Sequence, residues 1–572
     1  MKKINISLAL FAALSFLSSC EDKMDYNEYA VYEKSYVIED FSTVGGFLTE
    51  LYNAVDYDFG NYSGGAFRGS STDESVYSSN GNAIEDYYNG SWSPTNAKSG
   101  EWSRYYTAIS LANHFLAEFQ GLKFEELKHN DDYAAQMQRY ENYPNEVRFL
   151  RAYYYFALVR QYGGVPLIDR VMSVEDMNTV KRSSSDEIFE FIIRECQDIQ
   201  DKIIANYADL GEFALAVSEN GRANKMSVLA LKARAALYWA SPLFNPSGDK
   251  ERYRNAALYA KEVLDQASAS GRALTPKYQD LWSNNAHLNP NISKEILFAM
   301  RDYGSANGDH AAESNNYPVG IEGAKASNCP TQNLVDAYDM TNGKDINDPA
   351  SGYDPQDPYK NRDPRLALTV AVNGDVWPTY QKEKLQTYVG GLNGLPLTNA
   401  TPTGYYLKKL CNGAISLAGD GKVKNSFHTY LTFRLGEFYL DYAEAMYQLT
   451  GSADATEGTL TMSAREAASK TRERVKMPAL EGDGEIFWRN LQKERQVELA
   501  FEGHRFWDVR RWKDADKYFT NIERMEITMN PDGTFTYTRK SESRPWNDRW
   551  YLFPIPQSER AKNPNLDQNP GW

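Results

Sequence analysis

Aromatic side chains in loops rich in glycine, serine and asparagine are the residues of this sequence best suited to contact a ligand. A flat ring with a polar edge stacks on the apolar face of a ligand, and a nearby polar side chain fixes the orientation. Tyr77 follows a Gly- and Ser-rich stretch at residues 61–71, and Tyr303 and Tyr317 bracket another loop at residues 304–316. The candidate ligand-binding residues are Asp73, Tyr77, Trp92, Tyr303, Tyr317, Arg365, Trp377 and Tyr388.

Each of these candidates also has a purely structural interpretation. The aromatic rings can pack in the core, and Asp73 can cap its own loop. Arg365 stands in an Arg-Asp-Pro-Arg turn, and its side chain can stabilise this turn without contacting a ligand. The sequence leaves both interpretations open at these positions.

Composition limits the class of ligand. The chain has 572 residues, of which 42% are hydrophobic and 24% charged, so it is long enough and apolar enough to bury more than one core. Its formal net charge of -15 repels nucleic acid and anionic lipid over most of the surface. We therefore expect a neutral ligand and no nucleic-acid partner.

The sequence offers little for metal or covalent chemistry. It has six His and four Cys, and no pair of Cys forms a C-x-x-C motif, which argues against a zinc site or a dithiol redox centre. Asp345, Asp348, Asp354 and Asp357 resemble a Ca²⁺ loop only loosely, because the D-x-D-x-D-G spacing and the later Glu are missing. The sequence favours a solvated acidic loop here, with a structural Ca²⁺ as the weaker alternative. We predict no cofactor and no catalytic residue; G-x-S-x-G, Walker A and H-E-x-x-H motifs are absent.

The first twenty residues have the pattern of an export signal. Lys2 and Lys3 precede an apolar stretch at residues 4–17 that is too short to span a bilayer comfortably. Small residues then lead to Cys20, as in a bacterial lipobox, so we predict a signal peptide at residues 1–19, lipidation of Cys20 and a tether at residues 20–35. A general secretory signal with an incidental Cys is the alternative. A two- or three-chain lipid anchor is physically sensible because one acyl chain binds a membrane only marginally.

The rest of the chain reads as mostly α-helical. Apolar residues recur at helical spacing over residues 100–261, 434–449, 464–475 and 485–512, with a Ser184/Glu187 capping box and a helix that begins at Asn145 and stops at Gly163. Short connections favour tetratricopeptide-like helix pairs. Residues 284–401 are instead rich in Asn, Gly, Asp and Pro, with short strands expected at residues 296–300 and 366–372 and a hairpin around residues 531–533.

Two stretches near the end carry a family resemblance. Glu494-Arg495 followed by Glu498-Leu-Ala-Phe-Glu-Gly-His-Arg-Phe-Trp-Asp-Val-Arg-Arg-Trp512, which we call the signature segment, resembles the SusD/RagB family of Bacteroidetes outer-membrane lipoproteins. The Phe553-Pro-Ile-Pro556 tail with Asn563-Pro-Asn-Leu566 resembles the ending of the same family. Further matches in family order are Thr72-Asp-Glu74, Arg148-Phe-Leu-Arg-Ala152, Tyr162-Gly-Gly-Val-Pro166, Pro330-Thr-Gln-Asn-Leu-Val335, Arg362-Asp-Pro-Arg365 and Thr403-Gly-Tyr-Tyr406.

The resemblance implies a single SusD-like domain over residues 36–572. It implies a helical scaffold of four tetratricopeptide-like pairs, mainly at residues 36–283 and 430–515, and a loop-rich ligand-binding half with a few short β-hairpins, mainly at residues 284–429. An extended segment is expected at residues 516–572. The implied role is a cell-surface lipoprotein of the outer membrane that captures oligo- or polysaccharide, without catalysis, for a SusC-like TonB-dependent transporter.

The signature segment itself reads as structural. Its acidic and basic residues recur at three- and four-residue steps on one predicted helix, which suits interlocking ion pairs. Two other functions stay open on the residues alone. A glycoside hydrolase needs only two suitably spaced carboxylates, and a helical adaptor would bind protein partners alone.

Overall fold

The computed structural model describes residues 39–207, 210, 221–301, 308–419 and 422–572. The predicted signal peptide, Cys20 and the tether lie outside these residues. The α-helices, in chain order, are α1 Phe41–Asn53, α2 Asp86–Asn89, α3 Gly100–Glu118, α4 Tyr133–Tyr162, α5 Val174–Met177, α6 Ser185–Ile199, α7 Lys225–Ala240, α8 Lys250–Ala269, α9 Ala311–Asn316, α10 Gln332–Ala337, α11 Pro364–Thr369, α12 Leu435–Thr450, α13 Ala464–Arg474, α14 Gly484–Glu498, α15 His504–Arg511, α16 Ala515–Tyr518 and α17 Gln557–Lys562.

The β-strands are short and pair two by two. In chain order they are β1 Ser75–Tyr77, β2 Ile296–Arg301, β3 Asn328–Pro330, β4 Val370–Ala371, β5 Tyr406–Leu407, β6 Thr429–Arg434, β7 Asn521–Met529 and β8 Phe535–Ser543. The antiparallel pairs are β1 with β3, β2 with β6, β4 with β5, and β7 with β8. The fold is therefore mostly helical with small local sheets, as predicted.

The long helices stack one on the next. Helix α3 packs on α4, α4 on α6, α6 on α7, α7 on α8, α8 on α12, and α12 on α13. One continuous apolar core runs through these contacts, from Val44 in α1 to Leu491 in α14. This serial packing of neighbours is the tetratricopeptide-like scaffold expected from the sequence. Among the described residues, no helix combines the length and the apolar character needed to cross a membrane.

Local sequence signals explain several helix ends. The Ser184 side chain accepts a hydrogen bond from the Glu187 backbone N–H and the Glu187 carboxylate accepts one from the Ser184 backbone N–H, so the predicted capping box opens α6. Asn224 caps α7 in the same way. Helix α4 stops at Gly163, whose φ of 70° suits a residue without a side chain.

Helix α4 begins earlier than predicted. The sequence places its start at Asn145, after Pro144, but the helix starts at Tyr133 and runs through the proline. Pro144 removes one backbone hydrogen bond, yet Tyr140 and Tyr143 on the preceding turn are buried in the core. Packing of these rings outweighs the local cost of the proline.

The signature segment is two helices rather than the single helix predicted over residues 485–512. Helix α14 ends at Glu498 and α15 begins at His504, with Phe501 and Gly503 between them at φ of 61° and 89°. A side chain on Gly503 would stand 2.3 Å from the backbone oxygen of Asp58. The close approach of these two backbones therefore requires glycine and breaks the helix.

Residues 366–372 were predicted as a strand and are mainly helical. Asp363 accepts a hydrogen bond from the Arg365 backbone and Pro364 occupies the first turn, which together start α11. Only β4 remains extended. The predicted strand at residues 296–300 is confirmed as β2, whereas its partner β6 was not predicted.

Buried ion pairs join the loop-rich half to the scaffold around α14. Glu498 lies within 3 Å of the guanidinium groups of Arg365 and Arg434, and it also pairs with Arg474. Burial by itself would raise the pKa of Glu498, but the charges of Arg474, Arg434 and Arg365 more than offset it and hold that pKa far below its usual range. We call this set, with Glu494 and Glu502, the buried charge network.

The C-terminal residues return to the scaffold. The predicted hairpin is confirmed and is longer than expected, pairing Asn521 with Ser543 at its open end. Beyond it, Asn569 donates hydrogen bonds to the carbonyls of Tyr162 and Phe553. The Trp572 indole donates to the carbonyl of Leu552. The division of the chain into scaffold, loop-rich half and C-terminal segment stays a prediction at the boundaries given above.

Candidate ligand-binding face

A segment of ten residues, 311–320, connects the loops that carry the candidate tyrosines. It comprises α9 and the turn after it. Glu313 in α9 is fully buried, accepts a hydrogen bond from the Asn412 backbone at 2.7 Å, and lies 3.2 Å from His428 Nε2. These contacts anchor the segment to the loop-rich half, so the side chains it positions are held on a rigid base.

Tyr77 lies near one end of the surface that these loops form. It is the last residue of β1, and pairing of β1 with β3 sets Tyr77 opposite Asn328. The buried Asn328 amide donates to Gly65 O at 2.9 Å and to Asn316 Oδ1 at 2.8 Å. The half-buried Tyr77 ring donates its hydroxyl proton to Gly64 O at 3.2 Å. The hydroxyl end of this ring is thus fixed by backbone, and the ring is partly exposed to solvent.

Polar side chains flank Tyr77. Asn315 in α9 accepts a hydrogen bond from the Lys325 ammonium at 3.1 Å, and both residues are accessible. A side chain on Gly65 would stand 2.4 Å from Asn315, so the glycine lets the 63–65 turn approach α9 closely. The Asn315 amide therefore lies against Gly65, next to Gly64, whose carbonyl accepts the hydrogen bond from Tyr77.

Tyr317 and Trp377 form the floor of the middle of the face. Tyr317 is fully buried and its hydroxyl lies 2.7 Å from Asn412 O and 3.1 Å from Ile415 O. Burial raises its pKa far above the usual range for a phenol. The Trp377 ring meets Tyr317 edge-on at 5.8 Å, and only 7% of Trp377 is exposed.

Tyr380 lies above this floor and is half-buried. Its ring centroid is 6.4 Å from that of Tyr317, and Lys422 Nζ lies 5.3 Å from the Tyr380 ring. The buried rings of Tyr317 and Trp377 therefore support a more accessible ring rather than contact a ligand themselves. The predictions for Tyr317 and Trp377 are corrected in this sense.

Tyr388 lies in a neighbouring loop at residues 386–397. Its half-buried ring packs 5.4 Å from Phe535, and its hydroxyl donates to Gln386 Oε1. Asn393 from the same loop donates to Val319 O at 2.6 Å, which ties the loop to the 311–320 segment. Tyr77, Tyr380 and Tyr388, with Asn315 and Lys325, make up what we call the loop face.

Burial contradicts the predicted ligand contacts of Trp92 and Arg365, and Asp73 is held by an ion pair with Arg505. Trp92 has 0% exposure because the rings of Tyr87, Phe553 and Trp572 surround it, so it offers no face to a ligand. Arg365 has 0% exposure and is held by Asp363, Glu494 and Glu498. Both carboxylate oxygens of Asp73 accept hydrogen bonds from Arg505, at 2.9 and 2.6 Å.

Tyr303 and Cys20 lie outside the described residues, so their predicted roles stay predictions. Hydrogen bonds close the turns of the acidic loop that contains Asp345, Asp348 and Asp354, because each of these carboxylates accepts one from a backbone nitrogen two residues ahead. Within the described ranges no group of three or more His, Cys, Asp or Glu side chains is arranged to hold a metal ion.

The sequence did not single out Asn315 and Lys325. Asn315 stands in α9 and Lys325 in the loop that follows it, and their position next to the 63–65 turn accompanies the pairing of β1 with β3, across about 250 residues. No local signal marks that pairing. Three partly exposed rings therefore lie on loops that are fixed to a helical array.

Comparisons with known proteins give the family. Residues 294–572 match the family described as "SusD family", and residues 22–213 match "Starch-binding associating with outer membrane". The chain belongs to the SusD/RagB family.

Relatives and solved structures agree over nearly the whole chain. SusD-like protein P2 of Formosa agariphila is 24% identical over 494 residues, which cover 82% of this chain and 80% of the relative. A SusD-like protein from Bacteroides fragilis superposes with a TM-score of 0.72 at 25% identity, covering 94% of this chain and 98% of the other. A SusD-like carbohydrate-binding protein from the same species gives a TM-score of 0.72 at 22% identity, with 93% and 99% covered.

Proposed function

We propose that this protein is a cell-surface lipoprotein that captures an oligo- or polysaccharide on the loop face and delivers it to a SusC-like TonB-dependent transporter. The observation that carries the proposal is the loop face itself, where Tyr77, Tyr380 and Tyr388 are partly exposed while the loops beneath them are fixed by buried contacts. A binding surface of this kind loses little conformational entropy when a ligand arrives.

The chemistry of the loop face suits a saccharide. Sugar rings present apolar C–H faces that stack on aromatic rings, and hydroxyl groups that pair with amide and ammonium groups. Asn315 and Lys325 lie next to the 63–65 turn that holds the Tyr77 hydroxyl, and Lys422 Nζ lies near the Tyr380 ring. A solved structure of the same fold is named as a carbohydrate-binding protein, and the family description of residues 22–213 refers to starch. No pair of carboxylates is needed for this role, and we propose binding without catalysis.

Anchoring and delivery rest on two other features. The lipobox-like sequence before Cys20 supports lipid attachment, and the acidic Glu21 and Asp22 after it fit export to the cell surface. The 386–397 loop also exposes large apolar side chains, with Leu392 at 67% and Val389 at 50%. Exposed apolar groups close together are typical of protein interaction sites, so this loop supports contact with the transporter.

Binding is tested with a glycan array followed by isothermal titration of the best oligosaccharide. Tyr77→Ala with Tyr380→Ala should weaken binding about thirtyfold, because each stacked ring contributes on the order of 1 kcal/mol. The matched control is Tyr439→Ala, which removes a half-buried ring from helix α12 of the scaffold. Unchanged affinity in the double variant, with a normal thermal melt, would contradict the loop face.

Delivery is tested by co-purification from outer membranes. Leu392→Ser with Leu395→Ser should reduce recovery of the SusC-like barrel, identified by mass spectrometry. The control pair Val174→Ser and Leu288→Ser removes exposed apolar side chains elsewhere and should leave recovery unchanged. Equal recovery from both pairs would show that this loop is not the contact.

A further inference from the structure

A cavity of about 620 Å³ lies between the first residues of α7, the end of α8 and the start of β2. Its volume is within the range of sites for small organic ligands. Tyr77, Tyr380 and Tyr388 do not line it, so it is separate from the loop face.

The charged side chains that line this cavity are all cationic. They are Arg222, Lys225, Arg272 and Lys294, and among the described lining residues there is no Asp or Glu. Two of them have carboxylate partners from outside the lining, because Arg222 pairs with Glu146 at 2.6 Å and Lys225 with Asp201 at 2.8 Å. The chain as a whole carries a formal charge of -15, so the cavity reverses the sign of the molecule locally.

The other two cations, Arg272 and Lys294, have no carboxylate partner among the described residues. Arg272 Nη1 donates to the carbonyls of Ser293 and Ile296, at 3.4 and 2.8 Å, which holds the guanidinium against the backbone on either side of Lys294. Its Nε and Nη2 atoms make no hydrogen bond within the described chain, and they are not sealed from solvent, since the side chain is partly exposed. These donors are therefore open to a ligand in the cavity.

Burial makes an anion favourable at this guanidinium. It lowers the pKa of Arg272, and no carboxylate charge offsets the shift. A partly buried cation without a counter-ion is costly, and a bound anion removes part of that cost. Lys294 is exposed and adds a second positive charge at the same segment.

Neutral hydrogen-bonding groups line the same cavity. The Gln266 amide is partly exposed and has no partner within the described chain. The exposed Ser270 hydroxyl donates to the Gln266 carbonyl at 2.8 Å, which leaves its own oxygen able to accept. Amide and hydroxyl groups near two cations suit an acid group that is carried on a hydroxyl-rich molecule.

We infer that this cavity, which we call the cationic pocket, binds an oxyanion through Arg272 and Lys294. Inorganic sulfate and the carboxylate or sulfate group of an acidic oligosaccharide share this chemistry. The volume of the pocket and the groups of Gln266 and Ser270 favour the oligosaccharide, and that choice of ligand rests on the proposed function. The oxyanion class does not rest on it, because it follows from the charges that line the pocket.

The test is isothermal titration at low ionic strength, where screening of exposed charges is weakest. The ligands are sodium sulfate, trigalacturonate and galactotriose, the last being a neutral trisaccharide of similar size. Each is titrated into wild type and into the Tyr77→Ala, Tyr380→Ala variant, which removes the contribution of the loop face. In that variant, trigalacturonate should bind at least about tenfold more tightly than galactotriose, since charge-assisted hydrogen bonds are the stronger ones.

Lys294→Glu reverses a charge in the cationic pocket. The side chain is exposed and without a partner among the described residues, so the thermal melt should be unchanged. Binding of sulfate and of trigalacturonate should weaken about tenfold. Arg272→Gln should weaken the same ligands by a similar factor.

Lys181→Glu is the matched control. Lys181 is also exposed and unpaired within the described chain, but it lies outside the lining of the pocket. The substitution changes the net charge by the same amount as Lys294→Glu, and it should bind all three ligands as wild type does. An equal loss of oxyanion binding in both variants would show that only net charge matters and would overturn the pocket.

The remaining outcomes separate this inference from the proposed function. Trigalacturonate binding that disappears in the loop-face variant and survives Lys294→Glu overturns the cationic pocket and leaves the proposed function intact. Sulfate binding that Lys294→Glu weakens, without binding of trigalacturonate, supports the oxyanion site and overturns the oligosaccharide as its ligand. Absence of both sulfate and trigalacturonate binding to wild type overturns the inference, whatever neutral glycan the loop face binds.

Discussion

The buried charge network and the loop face are built from opposite kinds of contact. Buried ion pairs form the first, and partly exposed aromatic rings form the second. Around Glu498, arginines and glutamates that are almost fully buried hold α14 against the loop-rich half. On the loop face, partly exposed tyrosines lie on loops closed by backbone hydrogen bonds. The most conspicuous motif of the sequence thus encodes architecture, whereas the surface fit for a ligand has a weak local pattern.

The sharpest way to test this contrast is to remove the centre of the network. Glu498→Ala leaves Arg365, Arg434 and Arg474 buried without a shared partner, and we expect the free energy of unfolding to fall by about 5 kcal/mol. Urea denaturation measures this change. A loss below about 1 kcal/mol would show that the network is dispensable to the fold.

Arg505→Ala tests the same idea in the signature segment. The change leaves Asp73 buried and unpaired, so we expect a loss of about 3 kcal/mol of stability or lower expression. The affinity of surviving protein for a saccharide on the loop face should stay nearly unchanged in titration calorimetry. A normal melt with lost binding at that face would place Arg505 in the ligand site instead.

A pH series separates the network from a neighbouring buried carboxyl. Burial raises the pKa of Glu74 to about 7, although the Phe501 backbone donates a hydrogen bond to it. Because the folded pKa lies above the unfolded value of 4.5, Glu74 stabilises the fold fully below pH 4.5 and this contribution is lost as the pH rises through 7.

Glu74→Gln should therefore flatten the stability profile between pH 5 and 8, where we expect Glu74 to account for about 2–3 kcal/mol in the wild type. Chemical denaturation at several pH values gives this profile. Glu498, whose pKa is depressed, has the opposite sign and contributes stability that is lost only as the pH falls below its unfolded value. Parallel profiles for wild type and Glu74→Gln would refute the assignment.

The smallest expected effect lies on the loop face. Tyr388→Ala should weaken saccharide binding about fivefold to tenfold while leaving the melting temperature within a few degrees, because the ring is only partly buried against Phe535. Tyr388→Phe is the control, since it keeps the ring and removes the hydrogen bond to Gln386. If both variants bind as wild type does, the loop face ends before Tyr388.

Structural features that depend on residues close together in the sequence could be predicted. The Ser184/Glu187 capping box, the stop at Gly163 and the hairpin at residues 531–533 all depend on side chains within a few positions of one another. The helix periodicity behind the scaffold belongs to the same group. The break at Gly503 was missed because its cause is the backbone of Asp58, which no local pattern reveals.

The candidate site was predicted less well, because exposure is decided by distant partners. Trp92 looks like a contact residue in its Asn-Gly-Ser loop, yet Phe553 and Trp572 cover it from the other end of the chain. The Arg365 guanidinium donates a hydrogen bond to Glu494, which lies 129 residues away in the sequence. Tyr77 and Tyr388 remain accessible for equally non-local reasons. The sequence therefore indicated which residue types could bind a ligand, but it did not indicate which of these residues are buried.

The return of the C-terminal residues to the scaffold has a kinetic consequence. Asn569 bonds to Tyr162 across 407 residues, and the rings of Phe553 and Trp572 complete the packing around Trp92. Contacts between such distant parts of a chain form slowly, because a long loop must close before they contribute. The packing around Trp92 is therefore complete only after residues 553–572 have docked on the early helices, and we expect this docking to be a slow step of folding.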